Sequence, residues 1–274
     1  MKMGIEQNRG VGKHKVSNES KKNKRRQRKT TQVQRLYEAC KDVFADCEPG
    51  IVPSPDKVEK LAAVLDVMTQ ADVGLQPEMS FFDSERAPVI TYLQLYECDK
   101  FSIGIFCLPP TSVIPLHNHP GMTVFSKLLF GNMHIKSCDW SNEVDKSTDC
   151  TITKAGDPKS RPDGLHLAKI KVDSDFTSDS KTSILYPSDG GNMHRFTAKT
   201  ACAVLDVLGP PYCDTEGRHC QYYYEFPFAT FPDKNASVVA AEEREGYVWL
   251  KEREKPKDLC VVGVPYNGPK ITKK

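Results

Sequence analysis

Long apolar runs are missing from this 274-residue chain. No stretch approaches the roughly 18 apolar residues a membrane helix needs, so no membrane span is expected. The first residues, Met1-Lys2-Met3-Gly4-Ile5-Glu6, lead into no apolar core, so a signal peptide is not expected either. Cysteine is plentiful, at ten residues, but no C-x-x-C pair occurs among positions 40, 47, 98, 107, 138, 150, 202, 213, 220 and 260. That scatter excludes a zinc ribbon and does not resemble the disulfide framework of a short secreted chain. A soluble intracellular protein with mostly buried, reduced thiols is expected. Internal repeats of useful length are absent as well.

Charge is unevenly spread. Residues 1–30 hold eleven Lys/Arg against two Asp/Glu, whereas the remainder holds 27 against 34. The basicity therefore belongs to a tail, with its densest run from Lys21 to Lys29. A segment so polar is expected to be disordered, serving either nuclear import or as a solvated tail. No aromatic residue interleaves those charges, and specific nucleic-acid binding is not expected.

Val33, Leu36, Tyr37, Cys40, Val43, Phe44 and Cys47 recur at helical spacing and stop at Pro49-Gly50. Ser54-Pro55-Asp56 reads as an N-cap, a proline in the first turn and an acid beside the helix dipole. Val58, Leu61, Leu65 and Met68 form the stripe that follows. From about residue 88, short β-rich runs recur between turns: 89–96, 101–107, 123–130, 133–138, 165–172, 183–186, 202–208 and 221–226. Gly131-Asn132 reads as a hairpin turn. Residues 141–164, rich in Ser, Asp, Lys and Pro, read as a surface insertion. Many short strands without interleaved helices predict an antiparallel sandwich or barrel. The expected organisation is a basic tail over 1–30, a helical pair over 31–75, a β domain over 76–255 and a C-terminal tail over 256–274. Leu259–Val264 is a candidate extra strand within that tail.

The chemistry is concentrated in two segments. In Pro115-Leu116-His117-Asn118-His119-Pro120-Gly121, strand geometry turns His117 and His119 to the same side. In Pro187-Ser188-Asp189-Gly190-Gly191-Asn192-Met193-His194, a glycine-rich turn delivers a third imidazole into a β run. Imidazole is the commonest ligand for iron, copper, zinc and nickel. His134 and His166 sit in predicted strands without a turn motif and read as structural.

These two segments resemble the paired motifs of the cupins: H-x-H, a glycine after a strand (Gly131), then P-x-x-G-x-x-x-H. The fold implied is a mainly β, cupin-type double-stranded β-helix (a jelly-roll barrel) with an N-terminal helical pair. Many cupins carry a glutamate four or five residues after the second histidine; here those positions are Thr123 and Val124. Three neutral imidazoles would leave a divalent ion its full charge and three open positions. Three imidazoles also suit zinc, and residue types alone do not choose the metal.

With Asp72-Val73-Gly74-Leu75 and Leu205-Asp206-Val207-Leu208-Gly209-Pro210-Pro211-Tyr212, roughly residues 33–255 resemble the thiol dioxygenases of the plant cysteine oxidase and cysteamine dioxygenase type. The resemblance implies one Fe(2+) per chain held by His117, His119 and His194, with O2 as co-substrate. It implies oxidation of an N-terminal cysteine to cysteine sulfinic acid on proteins such as group-VII ethylene response factors. Arginylation and N-degron degradation then follow, so that oxygen supply sets substrate lifetime. It further implies a monomer and places Asp206 and Tyr212 beside the iron; with the basic tail, nucleus and cytoplasm are the expected location. Asp206, flanked by Leu205 and Val207, needs a partner if buried: it is either a support or anchor for the substrate ammonium, or a strand-edge carboxylate bonded to backbone. Tyr212, after a stiff Pro-Pro turn, either aims its hydroxyl at the metal or packs as an aromatic. Cys220 and Tyr222 share a face if extended, and related enzymes can join such a pair covalently; core packing is the alternative. The competing functions are a non-catalytic metal-binding cupin acting as a nuclear module and a dioxygenase of a free small thiol.

Overall fold

The computed structural model describes residues 30–83, 89–141, 164–231 and 239–273. The basic tail and nearly all of the 141–164 insertion lie outside the described residues.

Two helices come first. α1, Gln32–Val43, is capped by Thr31, whose side chain accepts from the Gln34 amide, and buries the expected stripe. α2, Pro55–Asp66, starts on its proline, although the Ser54 side chain makes no capping bond. Val58, Leu61, Leu65 and Met68 are buried. A short 3-10 turn, Gln70–Val73, follows with a capping box between Thr69 and Asp72 and closes on Gly74 in the left-handed region.

Among the described residues, twelve strands then build two sheets: β1 (Ile90–Glu97), β2 (Ser102–Leu108), β3 (Val113–Asn118), β4 (Thr123–Phe130), β5 (Asn132–Trp140), β6 (Leu165–Thr177), β7 (Ser183–Leu185), β8 (Met193–Ala198), β9 (Cys202–Gly209), β10 (Tyr222–Pro227), β11 (Tyr247–Arg253) and β12 (Val261–Val264). One sheet runs β12-β1-β2-β9-β4-β7, and the other closes on itself as β10-β11-β6-β5-β8-β3. Pairing is antiparallel except for β12 on β1. This is the expected double-stranded β-helix.

Alternation along the strands separates the two faces of the open sheet. Ile103, Ile105, Leu205 and Val207 point outward and are buried with Leu36, Phe44, Leu61 and Leu65 of the helical region. Leu108, Leu128 and Val204 point inward and pack on Ile114, Met133, Ile135 and Phe196 of the closed sheet. The helices thus cover the back of the sheet whose front faces the cavity.

Gly131 does not form the expected hairpin. β4 pairs with β7 and β9, whereas β5 pairs with β6 and β8, so Gly131 is the corner where the chain leaves one sheet for the other. Its φ is +85°, and an added Cβ would lie 2.3 Å from the Ala201 carbonyl oxygen. The stretch 256–274 also differs from a free tail. β12 pairs with Ile90–Leu93, and Thr272 exchanges two hydrogen bonds with the Gln34 side chain on α1.

Phe44 stacks near Phe101 and meets Phe125 edge-on, fully buried between the helices and the sheet. Phe44→Ala is expected to lower stability by about 3–5 kcal/mol, read as a drop in the denaturation midpoint by circular dichroism. A loss below about 1 kcal/mol would mean that the helical pair is not part of the cooperative core.

Candidate metal centre

β3 and β8 are neighbours, and their register sets His117 opposite His194. His119 lies one residue beyond the end of β3. The three imidazoles converge, with ring centroids 4.7–4.8 Å apart and candidate ligand atoms all within 4.8 Å of one another. All three are buried.

The hydrogen bonds behind two of the rings fix which nitrogen faces the centre. The carbonyl of Pro115 can only accept, so His117 Nδ1–H donates to it at 2.8 Å and leaves Nε2 with its lone pair free. The Tyr212 hydroxyl donates to the Asn118 carbonyl at 2.7 Å. Its oxygen is therefore open to accept from His119 Nδ1–H at 3.1 Å, which leaves His119 Nε2 free as well. His119 Nε2 stands 3.1 Å from His194 Nε2. Two nitrogens held by one ion at ~2.1 Å and a right angle would be about 3 Å apart.

Backbone clamps hold the ring-bearing segments. The Asn192 side chain grips the His119 peptide from both ends: Oδ1 accepts from its N–H at 3.1 Å, and Nδ2 donates to its carbonyl at 2.8 Å. Asn192 is held in turn by buried Asp139, whose two oxygens accept from the amides of Gly191 and Asn192 at 2.9 and 2.7 Å. Gly191, at φ +89°, must be a glycine because a Cβ would lie 2.3 Å from Ser137 Oγ. Asn118, between the two histidines, accepts at Oδ1 from the Gln221 amide at 2.8 Å and so ties the Cys220 loop to β3.

Burial depresses the basicity of all three rings. His117 is pushed down to about 4, and burial together with the neighbouring rings lowers His119 and His194 further. The chain thus presents three neutral imidazoles near pH 7. No carboxylate joins them: Thr123 is buried and cannot supply an anionic ligand, and the cluster among the described residues is histidine only. The donor set suits a divalent transition-metal ion that retains its charge.

These rings form one wall of a cavity of about 430 Å³ between the two sheets. Asp206 comes from β9 on the opposite wall, 4% exposed, with Oδ1 unpartnered among the described residues. Burial raises its carboxyl to about 7, with the Ser126 hydroxyl acting against the rise. Asp206 is accordingly no strand-edge carboxylate satisfied by backbone.

Tyr212 lines the cavity too, but its hydroxyl is engaged by Asn118 and His119 and supports a ring from behind, rather than aiming at the centre of the cluster. The Cys220 thiol lies against the hydroxyls of Tyr212 and Tyr222, although Cys220 precedes β10 rather than sharing a strand with Tyr222. Sequence reading passed over Asn118, Asn192 and Asp139. Asn192 alone carried a signal, as the polar residue of a glycine-rich turn two positions before a candidate ligand.

The description PCO_ADO matches residues 64–271 of the chain. The chain is 57% identical to plant cysteine oxidase 2 of Arabidopsis thaliana over 261 residues, covering 93% of this chain and 89% of that protein. It is 55% identical to plant cysteine oxidase 1 of the same plant over 250 residues, covering 88% and 80%. It is 30% identical to human 2-aminoethanethiol dioxygenase over 235 residues, covering 83% and 84%.

The depressed histidine basicity sets a direction for the metal-free protein. Below about pH 6.5 the unfolded chain takes up protons that the buried rings refuse, so stability falls as pH drops toward 4. Urea unfolding of the metal-free protein at about pH 7 and about pH 5 should show the lower midpoint at the lower pH. Tyr212→Phe removes the oxygen behind His119 and is expected to weaken metal binding roughly 10–100-fold with little change in melting temperature. Unchanged metal affinity would show that His119 does not need that oxygen.

Proposed function

The chain belongs to the PCO_ADO family and is a thiol dioxygenase; from that premise we propose that it oxidises the N-terminal cysteine of proteins to cysteine sulfinic acid. Both atoms of one O2 are added to sulfur, so R–SH becomes R–SO2H. The observation that carries this reading is the three-imidazole cluster with no carboxylate among the described residues, facing buried Asp206, whose Oδ1 is unpartnered among those residues, across one cavity.

His117, His119 and His194 would hold the ion, one Fe(2+) per chain. When bound, ferrous iron supplies the coordination of thiolate and dioxygen that this oxidation needs. The rest is done by the chain. Neutral imidazoles leave the charge of the ion uncompensated, which favours a thiolate beside it. Phe106, Ile114, Phe196 and Leu208 line the cavity and limit water around the sulfur. Asp206 offers an acceptor to the substrate ammonium from the opposite sheet. Tyr212 keeps His119 Nε2 facing the ion. Cys220 and Tyr222 stand close enough for a thioether to be sought; its formation would remove two hydrogens, which intact mass and peptide mapping would register.

The plant cysteine oxidases, at 55–57% identity, are named for cysteine, which supports a cysteinyl substrate, whereas the human relative at 30% is named for 2-aminoethanethiol. Substrates of the group-VII ethylene response factor type, handed on to arginylation and N-degron degradation, would make the chain an oxygen sensor in nucleus and cytoplasm. It would act as a monomer, without specific nucleic-acid binding. No helix among the described residues is long and apolar enough to cross a membrane.

Mass spectrometry of a Cys-initiated peptide, incubated in air with the ferrous protein, should show a gain of two oxygens. The gain should vanish without oxygen and on an N-acetylated peptide. Oxidation of free 2-aminoethanethiol but not of the peptide would replace this reading with the small-thiol one. His194→Ala should lose iron and turnover together; an inactive variant that still holds full iron would remove His194 from the ligand set.

A further inference from the structure

Opposite the imidazoles, the cavity wall contains a feature that the thiol chemistry leaves unexplained. Gly104 on β2 is the register partner of Asp206 on β9. A Cβ at Gly104 would lie 2.4 Å from the Tyr92 hydroxyl oxygen and 2.4 Å from its Cε2. The Tyr92 ring, from β1, therefore lies across Gly104 with its hydroxyl over the backbone beside Asp206. Gly104 is not at a positive φ, so the backbone does not require a glycine there; the close approach of the ring does.

The surroundings of that hydroxyl have one sign. Burial and the carboxylates of Glu97 and Asp206 all make loss of its proton harder, so it remains a neutral phenol between two acids. Glu97, at the exposed end of β1, also lines the cavity and accepts from Gln94 Nε2 at 2.5 Å. Asp206 Oδ1 is buried and has no partner among the described residues. Lys255 also lines the cavity, but it acts on Cys220. One part of the lining thus presents oxygen acceptors, and another presents a cation.

We infer that Tyr92, lying over Gly104, is a substrate-binding residue that forms with Asp206 the seat of a primary ammonium and so selects a free amino terminus over a blocked one. This rests on the N-terminal cysteine reading above and adds the residues that enforce it. An ammonium has three donors and needs several acceptors at once. Asp206 Oδ1 and the Tyr92 oxygen supply two, from the strands on either side of β2, and Glu97 biases entry at the mouth. An acetylated terminus offers one amide donor, no charge and three extra heavy atoms, which this pocket of acceptors disfavours.

The test uses the full-length ferrous protein with two pairs of peptides, Cys-initiated and Ser-initiated, each with a free or an acetylated terminus. The Ser pair reports binding by calorimetry without turnover. Wild type should prefer the free amine in both pairs. Tyr92→Phe keeps the ring on Gly104 and removes only the hydroxyl oxygen. It should raise KM for the free Cys peptide roughly tenfold while kcat at saturation holds, and shrink the free-over-acetylated preference by the same factor. Gly104→Ala, which displaces the ring, should reproduce that split, with melting temperature as the folding control. Unchanged KM and unchanged preference in Tyr92→Phe would overturn the assignment, as would a wild type that binds both Ser peptides equally. A wild type that prefers the free Ser peptide yet leaves the Cys peptide unoxidised would uphold the ammonium seat and sink the reaction reading instead.

Discussion

The architecture around the site depends on keeping three imidazoles neutral, buried and turned toward one point. His117 and His119 each present a lone pair to the buried centre, and unpartnered acceptors of this kind are costly to bury. A bound cation repays that cost only if the rings do not rotate away from it first. His117 is fixed by the carbonyl two residues behind it and His119 by a tyrosine hydroxyl, while both Asn118 and Asn192 are committed to backbone. Apart from the Tyr212 hydroxyl, these supporting groups are main-chain atoms or short amides, which have few rotamers to lose on ordering.

The two-sheet topology divides the labour. The closed sheet carries the ligand atoms, since β3 and β8 are paired and the glycine turn before β8 is held by Asp139 of β5. The open sheet carries Asp206, Gly104 and Tyr92 and receives its rigidity from behind, where the helical pair fills its outer face. Gly131 is the corner between the two sheets, and its contact with Ala201 and Cys202 ties that corner to the start of β9. A substrate lying between the sheets would meet metal ligands on one side and carboxylate on the other.

Much of this was legible in the sequence, for identifiable reasons. The helical stripes and most strands followed from periodicity, because burial on one face imposes it directly. The H-x-H and the glycine turn were readable because ligand spacing is local. Gly131 was misread as a hairpin because a left-handed glycine between two β runs looks the same whether the chain folds back or crosses to another sheet; only the pairing of β4 with β9 and of β5 with β8 separates the two. β11 escaped because Tyr247 to Leu250 are all buried and show no alternation. β12 was offered only as an option, since a four-residue strand earns its place through a parallel partner 171 positions earlier in register, at Ile90↔Val261. Asn192 and Asp139 were invisible for a related reason: their role is to bind main chain, and main chain has no residue code.

The same limit applies to Gly104. In sequence it is a glycine inside an apolar strand, readable only as a weak point or a bulge. In the fold it is a space shaped for a tyrosine ring from the neighbouring strand, beside the buried carboxylate of Asp206. With Tyr92 and Asp206 as the proposed ammonium seat, substrate selection would be separate from metal binding. The three histidines sit on or next to the paired strands β3 and β8, whereas the acceptors opposite them arise from a missing side chain, a ring laid across the gap and a buried carboxylate with one oxygen unpartnered among the described residues. Changes on that wall would then alter which terminus is accepted while the metal centre stays intact, because no residue there contributes a ligand.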